Sequence, residues 1–355
     1  MHDLGLALLA AATAYLLAAL LGPGVTERLR RLCRERIDTA SPKLAKLHAA
    51  KSGTPSMGGL LIVGCWLAAV ALCCDLGQPA VLIAVAATLA FAVLGVCDDA
   101  IKARGRRRGL SVRAKLSGQA AIAVATVAAL AIADDWNGRV DWLLYAPLAV
   151  MLIMGMSNAV NVTDGLDGLA GGCGAIAATA LALIALLVPS AGPGDAERNR
   201  QVALLAAALA GALAGFLRLN RAPARLFMGD TGSLPLGGLL ALLAILSHLQ
   251  WLLLFVGGVF VAELASVVLQ VVWFRRTGRR LFLCAPLHHH FEFLGWPEPT
   301  IVRRCWTVAG ALAVGGCLAF APAIWTRPRW AAFDSIHEAL VTVGEESPRM
   351  SSDAR

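Results

Sequence analysis

The sequence predicts an all-α, polytopic integral membrane protein: a single domain of about ten transmembrane helices over residues 1–325, then a polar outer tail over 326–355. Three observations predict it. First, 58% of the 355 residues are hydrophobic and 15% charged, with a mean hydropathy of +0.70; a soluble domain carries roughly a quarter charged residues. Second, apolar runs long enough to cross a bilayer recur along the whole chain. Third, the positive charges collect in alternate connections between those runs.

The runs fall at 4–22, 58–76, 79–97, 117–133, 142–157, 171–189, 202–217, 233–249, 251–273 and 305–324. No Lys or Arg precedes the first, and a basic cluster from Arg28 to Arg36 follows it, so it is expected to remain as an anchored helix rather than a cleaved leader. Pro23 and Gly24 are expected to end that helix. With ten spans the connections alternate sides, and 24 of the 31 Lys and Arg lie on one of them. The positive-inside bias puts that side in the cytoplasm and both termini outside, on the periplasmic side. Topology thus accounts for the net charge of +8, and no nucleic-acid partner is expected. The nine cysteines form no CxxC pair and lie mostly inside apolar runs, as small buried hydrophobes.

The connections on the basic side carry the chemistry. The first ends in KSGTPSMGG, Lys51 to Gly59, where Thr54 and Pro55 read as the cap and first turn of a helix, a place that favours an anion. It lacks the P-loop pattern. The second opens with Asp98, Asp99 and Lys102: either a divalent-cation and phosphate site, or a solvated helix end with an i,i+4 pair. Lys115 follows at the foot of the next run. The run Arg106–Arg108 reads as a solvated, lipid-facing loop, and Asn137-Gly138 on the other side as a turn.

The stretch Asn158 to Gly172, NAVNVTDGLDGLAGG, sets Asn158, Asn161, Asp164 and Asp167 three residues apart. On a helical backbone these share one polar stripe, which must face a partner, a cavity or water. Further on, FMGDTGS places Asp230 directly before an apolar run, as a helix cap or, preferred here, a metal-binding carboxylate. Glu263, Ser266 and Gln270 share one face of the run 251–273, read first as an interhelical hydrogen-bonding face. In PLHHHFE, His288, His289 and His290 point about 100° apart on a helix, so one zinc ion could not take all three. Hydrogen bonding to phosphate suits them better. Clustered carboxylates without thiolates select a hard cation such as Mg²⁺, and lysines beside them suit phosphate. A transporter is the rival class, but its polar groups would sit near the midplane in two related halves.

GTPSMGG, DDAIK, NAVNVTDGLDGLAGG, FMGDTGS and PLHHHFE, in this order, closely resemble the phospho-N-acetylmuramoyl-pentapeptide transferases of the polyprenyl-phosphate N-acetylhexosamine-1-phosphate transferase superfamily. The resemblance implies transfer of phospho-N-acetylmuramoyl-pentapeptide from its UDP derivative to undecaprenyl phosphate, giving the first lipid-linked peptidoglycan intermediate and UMP, with Mg²⁺, at the bacterial inner membrane. It implies Asp98, Asp99 and Asp230 as essential acids and metal ligands, with His288 completing the catalytic group. It implies His48, Lys51, Thr54, Lys102, Lys115, Asn158, Asn161, Asp164, Asp167, Phe227, His289 and His290 as substrate contacts, and it admits a homodimer. The sister branch, which transfers N-acetylglucosamine 1-phosphate, shares the acid motifs; the PLHHHFE form favours the muramoyl branch.

Overall fold

A computed structural model describes residues 2–32, 51–104, 109–133, 141–188 and 193–325. His48, Arg106–Arg108, the Asn137-Gly138 turn and the polar tail lie outside the described residues. Among the described residues there are twelve helices: α1 His2–Leu32, α2 Gly59–Cys73, α3 Pro79–Ala103, α4 Val112–Ala133, α5 Asp141–Thr163, α6 Leu169–Leu187, α7 Pro193–Asn220, α8 Asp230–Leu246, α9 Gln250–Val256, α10 Gly258–Thr277, α11 Leu287–Phe293 and α12 Glu298–Trp325. Eight are long and apolar enough to cross a membrane. The other two expected runs are the shorter apolar helices α2 and α8.

The bundle is organised around α8. All 17 of its residues are buried, as expected of a helix that is apolar on every side. At about 1.5 Å per residue it is about 26 Å long, and both of its ends are buried in the protein. Helices α3 and α5 flank it, with α2, α6, α7 and α9 also against it. Small residues allow the close approach: a Cβ on Gly237 would strike the backbone of Met156 and Ser157 in α5. On the far side α1 lies along α7, burying Ala7, Ala10, Ala14 and Ala18 where Gly211 and Gly215 leave room. Large apolar residues on the outer faces, such as Leu20, Leu72, Ile132 and Leu318, are exposed, a surface that suits lipid.

Two boundaries differ from expectation. Helix α1 continues through Pro23 to Leu32, because Thr26 and Leu29 beyond the proline are buried in the bundle; Thr26 also returns a hydrogen bond of 2.8 Å to the Gly22 carbonyl. The run 251–273 is broken at Gly257 into α9 and α10. Helix α10 carries its long apolar end, Val268 to Phe274, largely exposed.

Candidate active site

Three polar clusters meet where α3, α5, α8, α11 and α12 begin or end. The first gathers on the N-terminus of α8. Gly229 precedes that helix with φ +69° and offers no capping side chain. The cap comes from α3 instead: Asp99 accepts the Asp230 N–H (3.2 Å), the Thr231 N–H (2.9 Å) and the Thr231 hydroxyl (2.7 Å). Gly95, one turn earlier on the same face of α3, makes this possible, because a Cβ there would fall on the Asp230 carbonyl.

Asp230 itself is not a cap. Its Oδ2 takes Lys115 Nζ at 2.6 Å and Lys102 Nζ at 3.2 Å, and its Oδ1 takes the Asn161 amide at 2.8 Å. The Asn161 carbonyl oxygen in turn holds Lys115 at 2.9 Å. Asp98, on the neighbouring face of α3, pairs with Lys102 at 2.7 Å and accepts the Leu110 N–H at 2.7 Å. Asp98, Asp99 and Asp230 each offer an oxygen within 4.8 Å of the others, and all three are buried. Among the described residues this is the one group of three or more acids, histidines or cysteines able to hold a metal ion. Its donors are all carboxylate oxygens, which fits a hard dication. Asp99 and Asp230 each already take three donors and Asp98 takes two, so Asp98 has the more available oxygens. Lys102 is the more exposed of the two lysines, 44% against 19% for Lys115, and so lies nearer the mouth.

The second cluster joins four remote segments. Lys51 Nζ lies 2.7 Å from Asp167 and 2.5 Å from Glu298, at the start of α12. The other Asp167 oxygen accepts the Ala224 N–H at 2.8 Å. Burial works against the Lys51 charge, but hydrogen bonds and charge from Asp167 and Glu298 outweigh it, raising its pKa above the ordinary lysine value. The two clusters share a backbone link. The Phe227 N–H bonds the Pro55 carbonyl at 2.9 Å, and Gly58 and Gly59 bond back to Phe227 and Met228 at 2.8 and 2.9 Å. The chain from Lys51 is thereby laid along the strand-like segment that runs into Asp230. This is why α2 starts at Gly59 and not at the expected Thr54-Pro55: the intervening residues are held extended against residues 227–228.

The expected polar stripe divides. Helix α5 ends at Thr163, so Asp164 and Asp167 lie on a turn rather than on the helix face of Asn158 and Asn161. Asn161 reaches Asp230 and Asp167 reaches Lys51, whereas Asn158 bonds Gln119 at 2.9 Å and the Met154 carbonyl at 2.8 Å.

In the third cluster Glu263 accepts the His288 N–H at 3.1 Å, tying α10 to α11 as an interhelical bond. Gln270 accepts the Leu281 and Phe282 N–H groups at 3.0 and 2.8 Å. The polar face of α10 thus anchors the segment that presents the histidines. His288 is 1% exposed; its Nδ1 lies 3.2 Å from Glu263 but off the line of a hydrogen bond, and its Nε2 abuts Gly165 on the turn. His289 pairs with Glu292 at 2.6 Å, and His290 Nδ1 accepts the Leu283 N–H at 3.2 Å. The His289 and His290 rings thus have different partners, and neither His288 ring nitrogen makes a hydrogen bond. Sequence reasoning missed Glu298 and Gln119. Glu298 was detectable as an acid between Pro297 and Pro299 at a helix start.

Residues 81–248 match the family described as Glycosyl transferase family 4, and residues 51–63 match phospho-N-acetylmuramoyl-pentapeptide-transferase signature 1. A phospho-N-acetylmuramoyl-pentapeptide-transferase of Desulfosudis oleivorans is 41% identical over 329 residues, 86% of this chain and 90% of its own. The chain belongs to the phospho-N-acetylmuramoyl-pentapeptide transferase family. Further transferases of that name, from Solidesulfovibrio magneticus and Desulforudis audaxviator, are 39% and 41% identical, covering 86% and 87% of this chain and 89% and 96% of theirs. Within this transferase the two matched regions hold Lys51 and Thr54, and the acids, lysines and amides from Asp98 to Asp230. Glu298 and the histidines lie beyond both, in the stretch that the full-length relatives cover.

Proposed function

We propose that this chain transfers phospho-N-acetylmuramoyl-pentapeptide from its UDP derivative to undecaprenyl phosphate, releasing UMP and forming the lipid-linked diphosphate. The observation that carries this reading is the Asp230 carboxylate, held by Lys102, Lys115 and Asn161 beside Asp98 and Asp99, in a chain whose relatives bear that transferase name. The reading includes one domain over residues 1–325 with ten spans, both termini outside and the site at the cytoplasmic face of the inner membrane. The bias of 24 of the 31 basic residues to one set of connections, the same set that carries the site, supports this orientation.

The attacking oxygen belongs to a phosphate monoester whose second pKa is about 6, so it is largely ionised at neutral pH. Little proton remains to be removed, and positioning and charge stabilisation carry the rate. The lipid phosphate oxygen bonds to the sugar-bearing phosphorus; the bond from that phosphorus to the bridging oxygen breaks, and UMP leaves with the electron pair. Lys102 and Lys115 turn from Asp230 toward the phosphate oxygens and stabilise the charge on them. Asp98 orients the lipid phosphate and takes its proton where it arrives protonated. Asp98, Asp99 and Asp230 would hold Mg²⁺, which supplies charge neutralisation at the diphosphate when bound. Lys51, Thr54, Asn158, Asn161, Asp164, Asp167 and Phe227 line the nucleotide-sugar cleft, His288, His289 and His290 close it, and His48 is a further substrate contact that the family resemblance implies.

The test is UMP release by the purified full chain with each nucleotide sugar, with and without Mg²⁺. Release with the UDP-muramoyl-pentapeptide, dependent on lipid phosphate and metal, is expected. Release with UDP-N-acetylglucosamine instead would transfer the assignment to the sister branch. Ping-pong kinetics or a trapped aspartyl adduct would replace direct attack with a covalent route.

A further inference from the structure

Glu298 has no part in the acid cluster, yet one of its oxygens does two jobs. Oε1 accepts the Lys51 ammonium at 2.5 Å and the Asp167 backbone N–H at 2.6 Å. Lys51 closes the ring on the Asp167 side chain at 2.7 Å, and Asp167 reaches on to the Ala224 N–H at 2.8 Å. The segments so joined are 116, 131 and 247 residues apart in sequence. All three side chains are largely buried, with 17%, 4% and 19% exposure for Lys51, Asp167 and Glu298. A flexible lysine in such a place must be fixed by its partners, because its stem alone has many rotamers.

Glu298 is well supported for this task. It stands in the first turn of α12, where the helix end favours a negative charge. Helix α12 is itself seated in the bundle, packing on α6 and α9, and Trp306 one face further along donates to the Gly168 carbonyl at 3.1 Å. The turn holding Asp167 is also fixed from its other end, since Gly168 N–H bonds Asn220 at 3.0 Å. Glu298 therefore ties the helix to both the Asp167 turn and the Lys51 loop, adding to the direct Lys51–Asp167 pair and to the Trp306 bond on the turn.

We propose that Glu298 is a positioning residue, whose single acceptor oxygen sets the Lys51 ammonium and the Asp167 turn in register to receive the nucleotide sugar. The inference rests on the assignment of Lys51 and Asp167 to the nucleotide-sugar cleft. Glu298 touches no reacting atom; it acts through Lys51 and Asp167. Its loss weakens binding of the water-soluble substrate and leaves the lipid substrate and the chemical step nearly as they were. Because one oxygen does both jobs, a glutamine, which keeps an acceptor at that position, restores most of the function.

The experiment is steady-state UMP release by the full chain, varying each substrate in turn, for wild type, Glu298→Ala and Glu298→Gln. Glu298→Ala is expected to raise the KM for the UDP-sugar by about tenfold or more, the scale of a lost hydrogen bond to a charged group, with kcat and the lipid-phosphate KM within about threefold of wild type. Glu298→Gln is expected to return the UDP-sugar KM to within about threefold of wild type. Equal loss toward both substrates with a lowered melting temperature, an unchanged KM, or a glutamine as damaging as alanine would each overturn the proposal. If the alanine variant does not survive purification, Glu298→Asp carries the test, because it withdraws the oxygen by one methylene while keeping the charge. A raised UDP-sugar KM in that variant supports the proposal and an unchanged one overturns it. Absence of UMP release by the wild type would instead sink the transferase reading, and this inference with it.

Discussion

Asp99 caps the helix that begins with Asp230. It receives two backbone N–H groups and one hydroxyl from Asp230 and Thr231, at 3.2, 2.9 and 2.7 Å. Adjacent acids on α3 thus have different duties: Asp98 faces Lys102, while Asp99 holds the first turn of a fully buried helix.

From this division we expect opposite phenotypes. Asp99→Ala leaves buried donors unsatisfied and should cost about 1–3 kcal/mol of stability, read as a lowered melting temperature in detergent. Asp99→Asn, which keeps one acceptor oxygen, should lose less. Melting of Asp99→Ala at the wild-type temperature would refute the cap.

Asp230→Asn should affect turnover first. It keeps the acceptor for Asn161 but removes the charge that Lys102 and Lys115 share and one oxygen of the metal-competent group. UMP release should fall by about 10²–10³, the scale seen when an electrostatic catalytic group is removed, and the Mg²⁺ concentration for half-activity should rise. An unchanged Mg²⁺ response would take Asp230 out of the metal site.

The sequence was most informative where apolar periodicity was long. All ten expected runs correspond to helices, because burial or lipid exposure of about 18 consecutive residues leaves few other solutions. Asp98, Asp99, Lys102, Lys115 and Asp230 were legible as a group because ionisable residues beside apolar runs need partners. What was not legible depends on contacts between remote segments. The Asn158 to Asp167 spacing looked helical throughout, but Asp167 is drawn off the helix by Lys51 and Ala224. Asp99 could be read as a ligand but not as a cap for a helix 131 residues away. Helix α2 starts later than its sequence implies because Thr-Pro is a good local signal that pairing with residues 227–228 overrides.

Gly165 provides a test of the histidine cluster. A Cβ there would meet the Nε2 of His288, whose ring is buried and whose backbone N–H is bound by Glu263. Gly165→Ala should therefore cost about 1–3 kcal/mol through overpacking. The ring, not the backbone, is the obstacle, so His288→Ala should relieve that cost in the double variant. Thermal melting of the four proteins in a cycle gives the coupling. Additive costs would mean that the turn and the ring are not in contact.

The Lys51 ring makes a prediction about pH. Its partners raise the lysine pKa above the ordinary value of 10.5. A group whose folded pKa is raised contributes stability in full below its unfolded value, and loses it only as pH climbs through the folded one. The contribution of Lys51 should therefore be constant from neutral pH to near 10.5 and fall beyond it. Comparing melting temperatures of wild type and Lys51→Met across that range checks this. The gap between them should stay level at pH 7, 8 and 9, because ordinary carboxylates are fully ionised and an ordinary lysine fully protonated across that range. A gap that changes between pH 7 and 9, in either direction, would show that Lys51 is coupled to a group titrating there, and not held by the two carboxylates of Asp167 and Glu298 alone.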